Sequence, residues 1–426
     1  MFPTFQYLVD YFLGVDIPGL SFLKTFGFLV AVSFIAAAVV IRNELKRYAD
    51  AGVFQGVDSV EIVNKPVRMQ DYLINGLLGF IAGYKIGGLF GAGPEAAEDP
   101  LNYIMSGQGS LTIGIALMLV FVGLKYMDAR KVKGLAPAER KVKLFPHHRV
   151  ADLLLIGAVS GFAGAKIFNA FETWDSFVKD PMGSLFSGSG LTFYGGLIMA
   201  TIALYFYARK KNFSFTRLCD AAAPALILAY GIGRLGCHFA GDGDWGIYNS
   251  AYITQADGTL VRVQPGEFEQ YVAANPGLFT EFNGHVPHKY APAPSGVPRW
   301  IYAQNYPHNV NREGIRIKGY EGSYPTVLPA AVFPTPIYEF FACLLIFGFL
   351  MLIRKRMRWP LQIFGIYLIF NGLERFLVEK IRVNYKYDWG FIHPTQAEII
   401  SFIFIVLGLY LWLLNPYKKK GLPASK

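Results

Sequence analysis

Ionisable side chains interrupt long apolar stretches of this sequence at a few places. A charge in apolar surroundings costs free energy, so the default interpretation of such a residue is functional. Lys166 and Arg234 each lie in an apolar stretch, and Arg375, Glu379 and Arg382 follow at spacings of four and three, typical of one helix face. A guanidinium can bind two phosphate oxygens at once, so clustered Arg and Lys favour a phosphate ligand. We expect nearby glycines to end the Arg234 helix and to admit a lipid headgroup: Gly231, Gly233, Gly236, Gly241, Gly243 and Gly246.

The apolar stretches that carry these groups are long enough to cross a membrane. The chain has 426 residues, of which 53% are hydrophobic and 16% charged, whereas soluble domains carry about 25% charged residues. Three cysteines exclude a disulfide scaffold. Nine stretches approach the length of a membrane helix, at roughly 22–41, 73–92, 110–126, 152–170, 191–208, 219–237, 330–353, 360–381 and 396–414. The sequence therefore predicts an all-α polytopic integral membrane protein with about nine transmembrane helices.

The distribution of charge predicts the orientation of these helices. The net charge of +10 comes from basic runs after every second stretch, whereas the 93–109 loop holds Glu95, Glu98, Asp99 and no cation. Because cytoplasmic loops carry the excess of Lys and Arg, we expect an external N-terminus and a cytoplasmic C-terminus ending in Lys418-Lys419-Lys420. The basic runs are then topology determinants, and no nucleic-acid partner is expected. Lys166, Arg234, Arg375 and Tyr194 would all lie near the external headgroup level.

One long polar segment breaks the alternation of spans. Residues 238–329 are rich in Pro, Gly, Tyr and Asn, and runs such as 259–263 alternate in polarity, which predicts a small external α/β or β-containing insert. The chain then divides into an N-terminal segment with the first span (1–70), an extra hairpin (71–127), core spans four to six (150–237), the external insert (238–329) and three C-terminal spans with a tail (330–426).

Two consecutive hairpins resemble each other in sequence. An ungapped shift of 81 residues gives 17 identities across residues 68–126, including Lys85 with Lys166 and Gly83 with Gly164. This pattern predicts duplication of a two-helix hairpin, with both copies running in the same direction. Only the second copy contains Tyr194-Gly195-Gly196, where the first has Ile113-Gly114-Ile115. We therefore expect chemistry in the second copy alone.

Five stretches of the sequence resemble the prolipoprotein diacylglyceryl transferase family. Gly233–Gly246 is similar to the family signature Gly-Arg-x-Gly-Asn-Phe-x-Asn-Gly-Glu-x-Trp-Gly. Four further stretches are similar to shorter family motifs: Leu191–Leu197, Pro334–Glu339, Arg375–Glu379 and Thr395-Gln396. The five stretches follow one another along the chain in the same order as in the family. The resemblance covers the first span and residues 150–415. The chain differs from the family where Tyr194 replaces a His, Lys166 replaces an Arg and Phe26 replaces a Tyr. Cys237 or His238 takes the position of the signature Asn, and Asp242 or Asp244 that of its Glu.

The resemblance implies transfer of a diacylglyceryl group from phosphatidylglycerol to the lipobox cysteine thiol of a lipoprotein precursor, at the outer leaflet of the bacterial inner membrane. The partners it implies are phosphatidylglycerol, precursors with a lipobox signal peptide, and membrane lipid. It implies neither a metal nor a cofactor, because a thiolate is itself a strong nucleophile.

The resemblance also implies roles for individual residues. Arg234 and Arg375, with Lys166, would bind the lipid phosphate and stabilise the charge of the leaving group. Glu379 or Asp242 would orient an arginine or receive the thiol proton, and Tyr194 and His238 are further candidates for proton transfer. Further binding positions are glycines: Gly195, Gly196 and Gly246.

The main alternative is a non-enzymatic transporter or flippase of an anionic lipid or another anion. The same cations would then form its substrate site, and charges spread through the membrane depth would favour it. A headgroup transferase that uses metal would need clustered aspartates of the D-x-x-D kind within a span, and the sequence contains none. The gathering of cations near one level favours the transferase.

Overall fold

The structure is a computed structural model that describes residues 1–92, 96, 103–104, 106–186, 190–282, 285–415 and 417. The acidic residues Glu95, Glu98 and Asp99 and the tail Lys418-Lys419-Lys420 lie outside the described residues, as do the repeat pairs at 99–100 and 187–188. The chain forms two compact units. The first comprises residues 1–15, 24–44 and 216–426, and the second comprises residues 16–23 and 45–215.

Helices and short strands make up the first unit. Its helices are α1 (Phe5–Leu13), most of α2 (Thr25–Asp50), α9 (Phe215–Ala240), α10 (Glu267–Ala274), α11 (Thr335–Ile353), α12 (Gln362–Glu379) and α13 (Gln396–Leu413). Its strands are β3 (Tyr248–Thr254), β4 (Leu260–Arg262), β5 (His288–Lys289), β6 (Ile315–Arg316), β7 (Thr326–Val327) and β8 (Ala330–Val332). Short 3₁₀ turns connect these elements at Pro276–Leu278, Thr280–Phe282, Arg299–Ile301 and Arg354–Arg356.

Buried polar contacts fix the long helices of this unit against one another. Asp220 of α9 accepts hydrogen bonds from the backbone N–H groups of Leu361 (2.7 Å) and Phe364 (3.0 Å), which anchors the start of α12. Arg354, after α11, pairs with Glu44 of α2. An apolar core that includes Ile227, Cys343 and Leu350 fills the space between α9, α11 and α12. These contacts hold fixed the three helices that carry the charged residues.

The helices α12 and α13 approach closely because glycine faces backbone on both sides. A Cβ atom on Gly365 would lie 2.9 Å from the carbonyl oxygen of Gly408, and one on Gly408 would lie 2.5 Å from that of Gly365. A second close approach joins Gly372 to the carbonyl oxygen of Ser401. Small residues at such positions are the usual means by which membrane helices pack.

The predicted insert contains a four-stranded sheet. The strand β3 pairs antiparallel with β4 and β8 and parallel with β5, and β6 pairs antiparallel with β7. Buried aromatic and aliphatic side chains, among them Tyr248, Phe268 and Tyr306, form its core. The prediction that a span begins at residue 330 was wrong: β8 occupies residues 330–332 because they pair with β3, and α11 begins at Thr335.

Two helical hairpins form most of the second unit. The first joins α3 (Met69–Ile81), continued by a π turn (Ala82–Ile86) and a 3₁₀ turn (Gly87–Phe90), to α4 (Leu111–Val132). The second joins α5 (Val150–Glu172) to α8 (Phe193–Lys210) through α6 (Trp174–Lys179) and α7 (Pro181–Phe186). Close approaches recur at equivalent places. A Cβ on Gly83 would lie 2.4 Å from the carbonyl oxygen of Ile113, and one on Gly164 would lie 2.5 Å from that of Gly195.

A two-stranded ribbon in the second unit has no counterpart in the sequence prediction. The strands β1 (Val57–Val63) and β2 (Ala138–Leu144) pair antiparallel from Val57 with Leu144 to Val63 with Ala138. Both strands lie in segments that the charge pattern marked only as loops. Their mixture of charged and apolar residues, exposed along most of the ribbon, lacks the clean alternation that signals a half-buried strand.

Helices occur at all nine predicted span positions within the described residues, and seven of them are long and apolar enough to cross a membrane. The other two are α8 and α12. The helix α8 carries three tyrosines and ends in Arg209 and Lys210, and α12 contains Glu374, Arg375 and Glu379. The protein is therefore a mostly helical, multi-pass membrane protein.

Candidate functional site

Two arginines of the first unit share one buried carboxylate. Arg234 of α9 places its Nε atom 3.0 Å from Oε2 of Glu339, and Arg375 of α12 places Nη1 3.2 Å from Oε1 of the same side chain. Glu339 of α11 is completely buried, and its Oε1 also accepts a hydrogen bond of 3.0 Å from the hydroxyl group of Tyr230. One carboxylate thus ties together three helices at a single point.

Two more carboxylates complete the pairing of these arginines. Glu379, one turn after Arg375 on α12, places Oε2 3.0 Å from Nη2 of Arg375 and accepts a hydrogen bond of 2.7 Å from Asn384. Asp244, in the loop after α9, pairs with Arg234 through one oxygen and with Arg382 through the other. The arginine cluster, which we define as Arg234, Arg375, Arg382, Asp244, Glu339 and Glu379, contains equal numbers of cations and anions.

A β-bridge, and not helical spacing, places Arg382 in the arginine cluster. The helix α12 ends at Glu379, so Arg382 is not on a helix face shared with Arg375 and Glu379, contrary to the prediction. It lies instead in a β-bridge with Gly246, where the N–H of Ile247 donates to the carbonyl of Ile381 at 2.8 Å. A Cβ atom on Gly246 would lie 2.6 Å from that same carbonyl oxygen. Gly246 therefore allows the two segments carrying Asp244 and Arg382 to meet.

The glycines around Arg234 act differently from the prediction. Gly231, Gly233 and Gly236 lie inside α9 and do not end it, and the helix stops at Ala240 before Gly241, whose φ is +65°. A Cβ on Gly231 would lie 2.8 Å from Cβ of Cys343, so this glycine permits the close packing of α9 on α11. The helix ends at Ala240, three residues after the predicted boundary at 237, because tertiary packing outweighs the low helix propensity of the glycines inside it.

The two candidate aspartates differ in their surroundings. Burial raises the pKa of Asp242, and among the described contacts it takes part in no ion pair. Burial acts in the same direction on Asp244, but the charges of Arg234 and Arg382 outweigh it and lower the pKa of Asp244 to about 2. Asp244 is therefore an anion held by arginines, whereas Asp242 is the better proton acceptor of the pair.

Side-chain atoms of Cys237, Asp242 and Asp244 lie within 4.8 Å of one another, a separation that metal ligands can have. The Sγ atom of Cys237 is also 3.8 Å from Nη1 of Arg234. The two guanidinium groups paired with Asp244 place positive charge beside these three residues and oppose the binding of a metal cation there. We therefore interpret the three residues as part of the hydrogen-bonding surroundings of Arg234.

His238 faces a different part of the first unit. Its Nδ1 atom lies 3.1 Å from the hydroxyl group of Tyr306, and the imidazole is buried. The same side chain lines a cavity of about 690 Å³ together with Tyr7, His308, Trp300 and Tyr320. The described contacts thus connect His238 with the insert and with α1.

The remaining predicted residues belong to the second unit. Lys166 of α5 is buried, and its Nζ atom donates to the carbonyl oxygen of Ser184 at 3.3 Å. Tyr194, half-buried at the start of α8, packs its ring against that of Phe193. A Cβ on Gly195 would lie 2.4 Å from Cβ of Phe168, and one on Gly196 would lie 2.9 Å from the carbonyl oxygen of Gly161. Both glycines thus have a packing role within their own hairpin.

Sequence reasoning missed the centre of the arginine cluster. Glu339 was noticed only as part of a resembling motif, although a carboxylate within the apolar stretch 336–353 is itself a functional signal. The sequence leaves Asp242 and Asp244 as alternatives for the signature Glu, and the contacts with Arg234 and Arg382 distinguish Asp244.

Comparison with known proteins agrees with the resemblance. The sequence model of the family described as prolipoprotein diacylglyceryl transferase matches residues 110–414. The phosphatidylglycerol–prolipoprotein diacylglyceryl transferase of Leptospira interrogans is 26% identical over 353 residues, covering 71% of this chain and 88% of the relative. Proteins of the same name from Dehalococcoides mccartyi and Clostridium novyi are each 25% identical, over 64% and 68% of this chain and 78% and 88% of the relatives.

Proposed function

This chain belongs to the prolipoprotein diacylglyceryl transferase family, and we propose that it transfers a diacylglyceryl group from phosphatidylglycerol to the lipobox cysteine thiol of lipoprotein precursors. The sulfur attacks the glyceryl carbon that bears the phosphate, and the carbon–oxygen bond breaks with its electron pair remaining on oxygen. A thioether forms and glycerol phosphate leaves. The thiol proton passes to a base or to the departing phosphate, so the step is balanced without an oxidant or a reductant.

The arginine cluster is the observation that carries this proposal. Negative charge grows on the phosphate oxygen as the bond to carbon breaks, and fixed guanidinium groups stabilise such charge best when they need not reorganise. Glu339 binds Arg234 through one carboxylate oxygen and Arg375 through the other. A second nitrogen of Arg375 pairs with Glu379, and a second nitrogen of Arg234 pairs with Asp244. With its side chain 25% exposed, Arg375 is the most accessible of the three arginines. We assign Arg375 and Arg234 to the lipid phosphate.

The proton acceptor is the second assignment. Asp242 lies in the loop beyond Arg234, and burial raises its pKa, which makes it a stronger base than an ordinary carboxylate. His238 is the alternative acceptor, from the side of the cavity that it lines together with Tyr7 and Tyr320. Glu379 orients Arg375 in this proposal. Tyr194, Lys166, Gly195, Gly196 and Gly246 are proposed to contribute to lipid binding, with the Tyr194 hydroxyl group directed to the phosphate.

We further propose that all nine long helices span the bacterial inner membrane, with the N-terminus external and the C-terminus cytoplasmic. The basic segments after α2, α4, α8 and α11 support this orientation. The two matching hairpins of the second unit are proposed to be copies of one ancestral pair. Cysteine labelling from outside should reach the 240–329 segment and spare 127–149, and the reverse pattern would refute the orientation.

A transfer assay tests the function directly. Purified protein, phosphatidylglycerol vesicles and a peptide containing a lipobox should yield a thioether-linked lipopeptide and an equal amount of glycerol phosphate, both measurable by mass spectrometry. A peptide with Ser in place of the lipobox Cys is the matched control. Movement of phosphatidylglycerol across the bilayer without any lipopeptide would favour a flippase and overturn the proposal.

A further inference from the structure

One buried carboxylate next to the arginine cluster has no hydrogen-bond partner among the described residues. Glu374 of α12 directly precedes Arg375, and only 5% of its surface is exposed. Neither of its carboxylate oxygens has a donor within reach, in contrast to Glu379 on the same helix, which is bound by Arg375 and Asn384. A buried ionised carboxylate without donors is costly, because nothing replaces the water that it loses.

The surroundings of Glu374 determine how it responds to a ligand. Glu374 interacts electrostatically with Glu339, which opposes its negative charge, and with the three arginines of the cluster, which favour that charge. Those arginines are already neutralised one for one by Asp244, Glu339 and Glu379. An ionised Glu374 is therefore an excess anion at the site where an anionic phosphate has to enter.

The phosphate and the charge of Glu374 must then exclude each other. Two anions in a site largely screened from water repel strongly, whereas a neutral carboxylic acid at residue 374 removes that repulsion. The coupling is reciprocal: a bound phosphate favours the protonated form of Glu374, and a proton on Glu374 favours the bound phosphate.

We propose that Glu374 is a positioning residue that couples binding of the phosphatidylglycerol phosphate to uptake of one proton. This inference rests on the proposed function, because it takes the lipid phosphate to be the ligand of the arginine cluster. The phosphodiester is a single anion throughout the neutral range, so the ligand itself contributes no proton.

The other groups that face Glu374 do not imitate this coupling. They are Tyr230 and Arg234 of α9, Glu339 and Cys343 of α11, Tyr367 and Arg375 of α12, and Arg382. Guanidinium groups stay charged at all pH values considered, and Glu339 is held by two of them. Tyrosine and cysteine give up protons only in alkaline solution. Among these mutually facing groups, Glu374 is thus the one whose charge a bound anion would change.

Equilibrium binding of dihexanoyl phosphatidylglycerol to the full chain in detergent, measured from pH 5.5 to 8.5 without peptide, tests the coupling. For the wild-type protein we expect Kd to rise with pH, by up to about tenfold per pH unit where Glu374 loses its proton. Glu374→Gln carries no charge at any pH, so its Kd should change by less than about twofold over the range, because its coupled proton is gone. Glu321→Gln, an exposed residue of the insert, is the matched control and should keep the wild-type slope.

Calorimetry provides a measurement that does not depend on a variant that folds. The binding enthalpy of the wild-type protein, compared between two buffers of different ionisation enthalpy, should report uptake of close to one proton near the midpoint of the Kd profile. A Kd independent of pH, no proton uptake, or a Glu374→Gln slope equal to that of the wild type would each overturn the inference. If the wild-type protein still makes lipopeptide under those results, the proposed function stands and only the coupling fails.

Discussion

The arginine cluster of the first unit and the lysines of the second unit use buried cations in different ways. Arg234 and Arg375 pair with carboxylates and share one of them, Glu339, whereas Lys166 donates to the carbonyl oxygen of Ser184. Lys85 in the first hairpin donates at 3.5 Å to the carbonyl oxygen of Tyr103, which the 81-residue shift aligns with Ser184. The arginines are thus fixed by other charges, while each lysine closes the loop of its own hairpin.

This difference separates cations whose charge is balanced by carboxylates from cations whose described contacts go to backbone carbonyl oxygens. A guanidinium fixed on two sides keeps further N–H donors available for phosphate oxygens. An ammonium group directs each of its three donors to a separate acceptor. Lys85 also donates to the carbonyl oxygens of Ser106 and Gln108, at 2.5 and 2.7 Å.

The largest effect is expected from the arginines. Arg234→Ala or Arg375→Ala should lower kcat/KM for transfer by roughly 10²–10³-fold, because the charge on the leaving phosphate loses its stabilising donor. Lysine at either position should restore activity only in part, since an ammonium cannot make the planar two-bond contact. Initial rates with phosphatidylglycerol and a lipobox peptide provide the measurement.

Arg354→Ala is the matched control for these variants. Arg354 also pairs with a buried carboxylate, Glu44, but it lies after α11 and outside the arginine cluster. This change should lower thermal stability while transfer by the folded fraction continues. Near-normal transfer by Arg234→Ala in membranes would remove the centre of the proposed site.

The next largest effect is expected from the two lysines, whose variants show whether Lys166 has a role beyond closing its loop. Lys166→Ala should lose most transfer activity, whereas Lys85→Ala should retain a substantial share, because only the second hairpin contains Tyr194-Gly195-Gly196. If both lysines merely close their loops, the two variants should lose similar activity and similar stability, about 1–3 kcal/mol each for the orphaned carbonyl groups. Transfer rates and melting temperatures of both variants, measured together, decide between these outcomes.

A smaller, pH-dependent effect is expected from the candidates for proton transfer. Tyr194→Phe should impair transfer without moving its pH optimum, since the hydroxyl group positions the phosphate and takes no proton in this proposal. Asp242→Asn should depress the rate most on the acidic side of neutrality, where an acceptor for the thiol proton matters most. His238→Gln with a wild-type pH–rate profile would leave the carboxylate as acceptor, whereas a selective loss near pH 6–7 would transfer that role to the histidine.

The smallest effect concerns stability. The pKa of Asp244 is lowered to about 2 in the folded protein, below the ordinary aspartate value near 4. Its ion pairs therefore stabilise the fold fully at pH values above about 4, and this stabilisation is lost as the pH falls towards 2. The contribution is on the order of 1–2 kcal/mol, because the side chain is partly exposed. Asp244→Asn should therefore flatten the fall in melting temperature between pH 4 and pH 2. An unchanged fall would mean that other carboxylates dominate acid unfolding.

The sequence predicted the parts of the molecule that depend on local pattern. Long apolar stretches revealed the positions of the helices, and a spacing of four revealed the pair Arg375 and Glu379 on α12. The β1–β2 ribbon was missed because its strands are charged and exposed and have no face to bury. Arg382 was included for the wrong reason, since a bridge to a distant glycine, and no helix face, brings it to Asp244. Glu339 shows the same limit: burial and partners depend on tertiary contacts.

The bridge between Gly246 and Arg382 has a consequence for biogenesis. Segments far apart in the chain must both be present before Asp244 can meet its second arginine, and Glu339 cannot hold Arg375 until α12 has been synthesised. A chain still emerging from the ribosome therefore carries Arg234 without its complete set of partners. Catalytic competence arrives late in synthesis, and a product truncated before α12 has no means of assembling the cluster.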